Sequence, residues 1–166
     1  MPAAPRTEMK TATFFLLPTT TQSDADVQLA LACRLATERY RLGQSLFLCV
    51  ADQDQGWRLD EMLWQQEADS FVPHSLSEEP TAHQAPVEIG TGLPRRNRQL
   101  LINLSPQAPA FAGRFAEVVD FVPTDDSLKQ LARERYKQYR AAGFTLQTQA
   151  APSAAEAQAI DRPETD

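Results

Sequence analysis

The sequence predicts a three-layer α/β sandwich, with helices on both faces of a mostly parallel sheet. Three observations carry this. Short apolar runs recur at 11–17 (TATFFLL), 45–50 (SLFLCV), 100–105 (LLINLS) and 117–122 (EVVDFV), as strands covered on both faces require. Stretches with helical spacing lie between several of them. The links are short, so each strand–helix–strand unit forms a right-handed crossover and a parallel pair. A length of 166 residues suits one domain with its own core.

The elements follow in order. Residues 1–8 are Pro/Ala-rich and polar, and read as a flexible extension. The first strand ends at Pro18. Ser23 or Asp24 can cap a helix running to about Leu42, with Gly43 closing it. Within it Val27, Leu31, Leu35 and Ala36 recur at helical spacing. A second helix is expected over roughly 55–66, then a loop with three prolines (69–86). VEIG (87–90) is a short strand candidate, and LPRRNRQ (93–99) a basic turn. PAFAGRFA (109–116) suits a short helix. Asp125, Asp126 or Ser127 can cap a helix to about Ala142, ended by Gly143, and FTLQT (144–148) can add an edge strand. From about Gln149 the chain has few large apolar residues, and disorder is expected. The organisation is thus an extension (1–8), one domain (9–148) and a disordered tail (149–166).

Composition bounds the function. The chain is 42% hydrophobic and 23% charged, with a formal net charge of -6. Duplex DNA is an unsuitable partner for such a surface as a whole, because phosphate binding draws on clustered Lys and Arg. Cys33 and Cys49 fall in apolar runs and read as buried, reduced thiols. The N-terminal stretch lacks a secretory layout and no apolar run is long enough to span a bilayer, so a cytoplasmic protein is expected.

Motifs for chemistry are missing from the sequence. The first strand runs into FLLPTTTQSDAD, without the glycines that let backbone approach a pyrophosphate, and there is no G-x-x-x-x-G-K-[ST]. No nucleotide-binding loop and no cofactor are expected. His74 and His83 lie in the Pro-rich loop without zinc-ligand spacing and read as solvated. The acid pairs Asp60/Glu61, Glu78/Glu79 and Asp125/Asp126 are explained by solvation or capping. No catalytic residue and no metal ligand is assigned.

The most informative segment is 125–144, DDSLKQLARERYKQYRAAGF. At about 100° per residue, with Lys129 at zero, Arg133 falls near +40°, Tyr136 near -20° and Arg140 near +20°. Leu128, Ala132 and Tyr139 form the expected core side, with Leu131 and Ala142 further round. Arg135 falls near it and must pair with an acid or snorkel. The stripe therefore lies beside the buried face, where a groove against the sheet would form. Spacing alone leaves two readings open: a solvated face, or a groove for an acidic peptide or phosphate. Cations around an apolar pocket suit a peptide ending in an aromatic residue and a carboxylate. Single-stranded nucleic acid stacking on Tyr136 is a weaker alternative. A second patch is Trp57 and Trp64, seven apart, followed by Phe71, Val72 and Pro73. Either the loop folds over the tryptophans, or they form a docking surface.

The strings MKTATFFLL (9–17), RLDEMLW (58–64), ADSFVPHSL (68–76), APVEI (85–89), FAEVVDFVP (115–123) and DSLKQLARERYKQYRAAGF (126–144) resemble the chi subunit of bacterial DNA polymerase III. The resemblance covers about Met9 to Thr148. It implies a Rossmann-like fold without a nucleotide site, and a non-catalytic adaptor in DNA replication. It implies a heterodimer with the psi subunit, which connects to the clamp loader. It also implies binding of the acidic C-terminal tail of single-stranded DNA-binding protein, so that DNA contact is mainly indirect. By resemblance the tail site falls on Val122, Lys129, Arg133, Tyr136 and Arg140, and the psi surface on Trp64, Phe71 and Pro73. That second surface can alternatively hold a helicase-like protein. Trp57 departs from the family pattern, and its role is open. The readings from other classes are a degenerate nucleotide-binding enzyme and a direct single-strand binder.

Overall fold

The structure is a computed structural model that describes residues 9–66 and 71–151. Its elements are β1 (Thr11–Leu16), α1 (Asp24–Arg41), β2 (Leu46–Cys49), α2 (Gln53–Trp64), β3 (His74–Leu76), β4 (Val87–Gly90), β5 (Leu100–Asn103), β6 (Glu117–Val122), α3 (Asp126–Ala141) and β7 (Thr145–Ala150). PAFAGRFA forms only a single 3-10 turn, Ala112–Arg114. One sheet holds all seven strands in the order β3-β4-β2-β5-β6-β1-β7, and every pair is parallel. The expected α/β sandwich is present.

The apolar runs become strands because both faces are covered. On one face α1 and α2 pack Leu29, Leu35, Leu59 and Leu63 against Leu46, Leu48, Ile89 and Ile102. On the other, α3 and the 3-10 turn pack Ala132, Tyr139 and Phe115 against Phe14, Phe47, Leu101 and Val118. Ser23, Asp52 and Asp125 cap the three helices with their side chains. Gly43 and Gly143 follow α1 and α3 with φ of 82° and 98°, the left-handed conformation that closes a helix.

Three expectations need correction. His74–Leu76 is a strand, paired with β4 through His74↔Val87, and not loop. A three-residue polar strand carries no apolar period to read. Strand β7 continues through Gln149 and Ala150, beyond the boundary expected at Thr148, because β1 offers partners as far as Leu16. Leu128 and Leu131 are 39% and 40% exposed and do not belong to the core. Both lie in the first half of α3; the core side of the helix consists of Ala132, Arg135 and Tyr139. The extension 1–8 and the segment 152–166 lie outside the described residues.

Two buried ion pairs tie a loop and a helix to the sheet. Arg98, from the basic turn, donates to Glu88 at 3.0 Å and to the carbonyls of Ala82 and Ala85 at 2.7 Å each. One of that turn's arginines is therefore structural. Arg135 donates from Nε to both Asp120 oxygens at 3.0 and 3.1 Å, and from its terminal nitrogens to the carbonyls of Pro106 and Phe121. Tyr139 donates to Asp120 at 2.7 Å, and Asn103 at 3.1 Å. Burial and the Asp120 charge hold the Tyr139 phenol well above its ordinary pKa, so it stays a donor.

Arg135→Met leaves the Asp120 carboxylate enclosed without its cation. We expect a loss of about 3–5 kcal/mol in unfolding free energy, read from urea denaturation. Arg58→Met breaks only the exposed pair with Asp26, and should change it by less than about 1 kcal/mol.

Candidate functional site

Helix α3 lies over β6, β1 and β7, and its stripe borders a cleft of about 300 Å³. Lys129, Arg133, Tyr136 and Arg140 all line it, and Val122 at the end of β6 joins them. Four residues outside the expected stripe also line it: Phe14 of β1, Thr148 of β7, and Ala132 and Lys137 of α3. Phe14 and Thr148 could not be found by helical spacing, because they arrive from strands distant in sequence.

The cleft has an apolar floor and a cationic rim. Phe14, Val122 and Ala132 supply the floor. The Tyr136 ring packs on Phe14 at 5.6 Å, and the Arg140 guanidinium lies over the same ring at 5.2 Å. Arg133 donates to Gln130 at 3.1 Å, which holds it along the helix. Lys137 lies 3.7 Å from Glu134 in an exposed pair. Among the described residues, Lys129, Arg133 and Arg140 have no carboxylate within ion-pairing distance. Such a group of like charges repels itself and is relieved by an anion.

Asp24 ties the start of α3 to α1. Burial favours its neutral form, but three donors outweigh this: the Thr124 hydroxyl at 2.8 Å and the amides of Thr124 and Asp125 at 3.0 and 3.1 Å. With the Lys129 charge, they hold the carboxyl below its ordinary pKa.

The second patch lies on the opposite face of the sheet. Trp64 is 61% exposed and Phe71 41%. Their rings are 5.3 Å apart, and Trp64 also meets the His74 ring edge-on at 5.1 Å. Pro73 beside them is half-buried. Phe71 and His74 thus pack against Trp64 without covering it. His74 is not solvated, contrary to expectation. Its side chain is fully enclosed, with Nδ1 2.7 Å from the Val72 carbonyl and Nε2 3.1 Å from Asp60, although not aligned there as a hydrogen bond. Burial raises the Asp60 pKa, and the His74 charge opposes that rise. His83 is exposed.

Trp57 is 49% exposed and belongs elsewhere. It borders a cleft of about 690 Å³ at the carboxyl ends of β2 and β4, with Leu93 and Arg95 across it. In α/β sheets this is where ligands commonly bind. Here the helix start is occupied by the chain itself: Asp52 accepts from the Gln55 amide at 2.8 Å, and Gln55 from the Ala51 amide at 2.7 Å. A phosphate would have to displace both and face the Asp52 charge. Cys33 and Cys49 are buried free thiols, with pKa values pushed up to about 11 by burial. Among the described residues no helix is long and apolar enough to cross a membrane.

The fold and its two surfaces define a parallel α/β protein with a cation-rimmed groove and an exposed aromatic patch. The family model described as "DNA polymerase III chi subunit, HolC" matches residues 9–147. The DNA polymerase III subunit chi of Escherichia coli K12 is 50% identical over 143 residues, covering 84% of this chain and 97% of that protein. The corresponding subunits of Haemophilus influenzae and Pseudomonas aeruginosa are 42% and 39% identical, over 84% of this chain and 96% and 95% of theirs. The chain belongs to the DNA polymerase III chi subunit family. In fold alone it is similar to the C-terminal domain of the DEAD-box protein Dbp5, with a TM-score of 0.55, 15% identity, and coverage of 92% of this chain and 96% of that one.

The lowered Asp24 pKa fixes the sign of a pH effect. Its contribution to stability is full above the unfolded value of about 3.9 and is lost as pH falls through the folded value. Asp24→Asn should therefore lower the melting temperature at pH 7, and the gap to the parent should narrow at pH 3. An equal gap at both pH values contradicts this.

Proposed function

We propose that the chain is a non-catalytic cytoplasmic adaptor of the DNA polymerase III machinery. In this reading the α3 cleft holds the acidic C-terminal tail of single-stranded DNA-binding protein. The observation that carries it is one cleft combining four cations with an apolar floor. A carboxylate meets Arg133 and Arg140, and an apolar or aromatic end group lies on the floor of Phe14, Val122 and Ala132. Direct stacking of nucleic acid bases is less well supported, because Phe14 and Arg140 already pack on the Tyr136 ring. The Trp64–Phe71–Pro73 patch is the proposed contact for the psi subunit, and through it the clamp loader. A helicase-like protein is its alternative partner.

The mechanism is tethering. A weak, charge-assisted contact to the tail gains from effective concentration once the loader also sits on DNA. Salt weakens the contact because part of it is charge pairing.

Arg133→Glu should weaken binding of an acidic tail peptide at least about thirtyfold, as expected when a desolvated charge partner is lost. Fluorescence anisotropy measures it, and unchanged affinity counts against the cleft. In a separate test, Trp64→Ala with Phe71→Ala should release psi in co-purification while peptide affinity stays the same. Retention of psi by this double variant removes the patch from the account.

A further inference from the structure

The cleft has a candidate occupant within the chain. Thr148 of β7 lines it, and the last rung of that strand is the Ala151 amide donating to the Leu16 carbonyl at 3.1 Å. The chain therefore leaves the sheet three residues past Thr148, about 10 Å on at strand rise, with Ala151 packed on the α1–α2 face beside the edge strand β7. Residues 152–166 follow, beyond the part matched by the chi family model. They open with Pro152, which has no N–H to continue the ladder. They carry Glu156, Asp161, Glu164 and Asp166 against the single cation Arg162. Their one large apolar side chain is Ile160, directly before Asp161. Fifteen residues reach up to about 50 Å, enough to pass round the edge strand β7 to the α3 face.

We propose that the 152–166 segment folds back onto the cationic cleft and competes there with an external acidic peptide. The inference rests on the reading of the cleft as an acidic-peptide site and adds its regulation. Charge decides the occupant. Lys129, Arg133, Lys137 and Arg140 present four cations to a segment with four acids, and Ile160 suits the floor of Phe14, Val122 and Ala132. Tethering makes even a weak contact effective, since a linked segment is present at a local concentration in the roughly millimolar range. An external peptide then binds only the fraction of molecules whose cleft is open, and its apparent Kd rises by the inverse of that fraction.

Two measurements on the full chain test this. The first compares the parent with a variant carrying Glu156→Gln, Asp161→Asn, Glu164→Gln and Asp166→Asn. Affinity for an acidic peptide ending in an aromatic residue should tighten at least about threefold at low salt, as for a cleft closed two-thirds of the time. The gap should close at high salt. The second uses a carbodiimide, which joins carboxylates directly to amines. The chain has three lysines, Lys10, Lys129 and Lys137. The latter two line the cleft, while Lys10 is engaged elsewhere by the Gly113 carbonyl. Mass spectrometry of the monomer should find the four tail acids joined to Lys129 or Lys137 and not to Lys10. Equal peptide affinity in the two proteins overturns the inference, whatever the cross-links show, and leaves the cleft reading standing. If neither protein binds the peptide, the cleft reading fails. The cross-links then decide the fold-back alone, and links absent or spread evenly to Lys10 overturn it.

Discussion

The buried contact between Arg135 and Asp120 sets the geometry on which the cleft depends. Asp120 sits in the middle of β6, fully enclosed, and an ionised carboxylate there is costly without a partner. Arg135 reaches it from α3, with Tyr139 one turn further along the helix donating to the same carboxylate. These donors fix the rotation of α3 about its own axis. Once Arg135 and Tyr139 point at the sheet, helical geometry leaves Lys129, Arg133, Tyr136 and Arg140 along the flank that faces Phe14 and Thr148. The two kinds of arginine in this helix thus do different jobs because of spacing alone. One is neutralised inside, and two remain at the rim without a carboxylate partner among the described residues.

The two surfaces differ in chemistry and lie on opposite faces of the sheet. The α3 cleft combines charge with a small apolar floor, a form suited to a reversible, salt-sensitive contact with a short acidic segment. The Trp64 patch is aromatic. Phe71 and His74 brace its central ring without covering it. An exposed tryptophan held in a fixed orientation is the kind of residue around which tight interfaces form. Opposite placement allows both to be filled at once. At the other cleft, by the carboxyl ends of β2 and β4, the start of α2 is occupied by the chain itself. Asp52 and Gln55 fill the amide positions that a phosphate would need.

Much of this was legible in the sequence, for physical reasons. Parallel strands covered on both faces must be continuous apolar runs, so β1, β2, β5 and β6 were visible. Helix caps and closing glycines have few chemical alternatives, so α1 and α3 were bounded to within a residue. The stripe was visible because a single helix has a fixed period. What spacing could not supply was anything contributed from across the fold. Phe14 and Thr148 reach the cleft through sheet pairing 134 positions apart in sequence. His74 is buried by Trp64 and Phe71, contacts that no local pattern records. Leu128 and Leu131 misled because a helical projection gives the side a residue takes and not what the fold places against it.

In the proposed complex an acidic peptide is gripped between α3 and the β6–β1–β7 edge. Nuclear magnetic resonance mapping tests it most directly, by titrating a single acidic peptide into isotope-labelled protein and following every backbone amide. Shifts are expected at Val122, Thr148 and the 129–140 segment, with α2 and the β2–β4 end undisturbed. Shifts centred instead on Trp57, Leu93 and Arg95, or scattered evenly over the surface, would contradict the account.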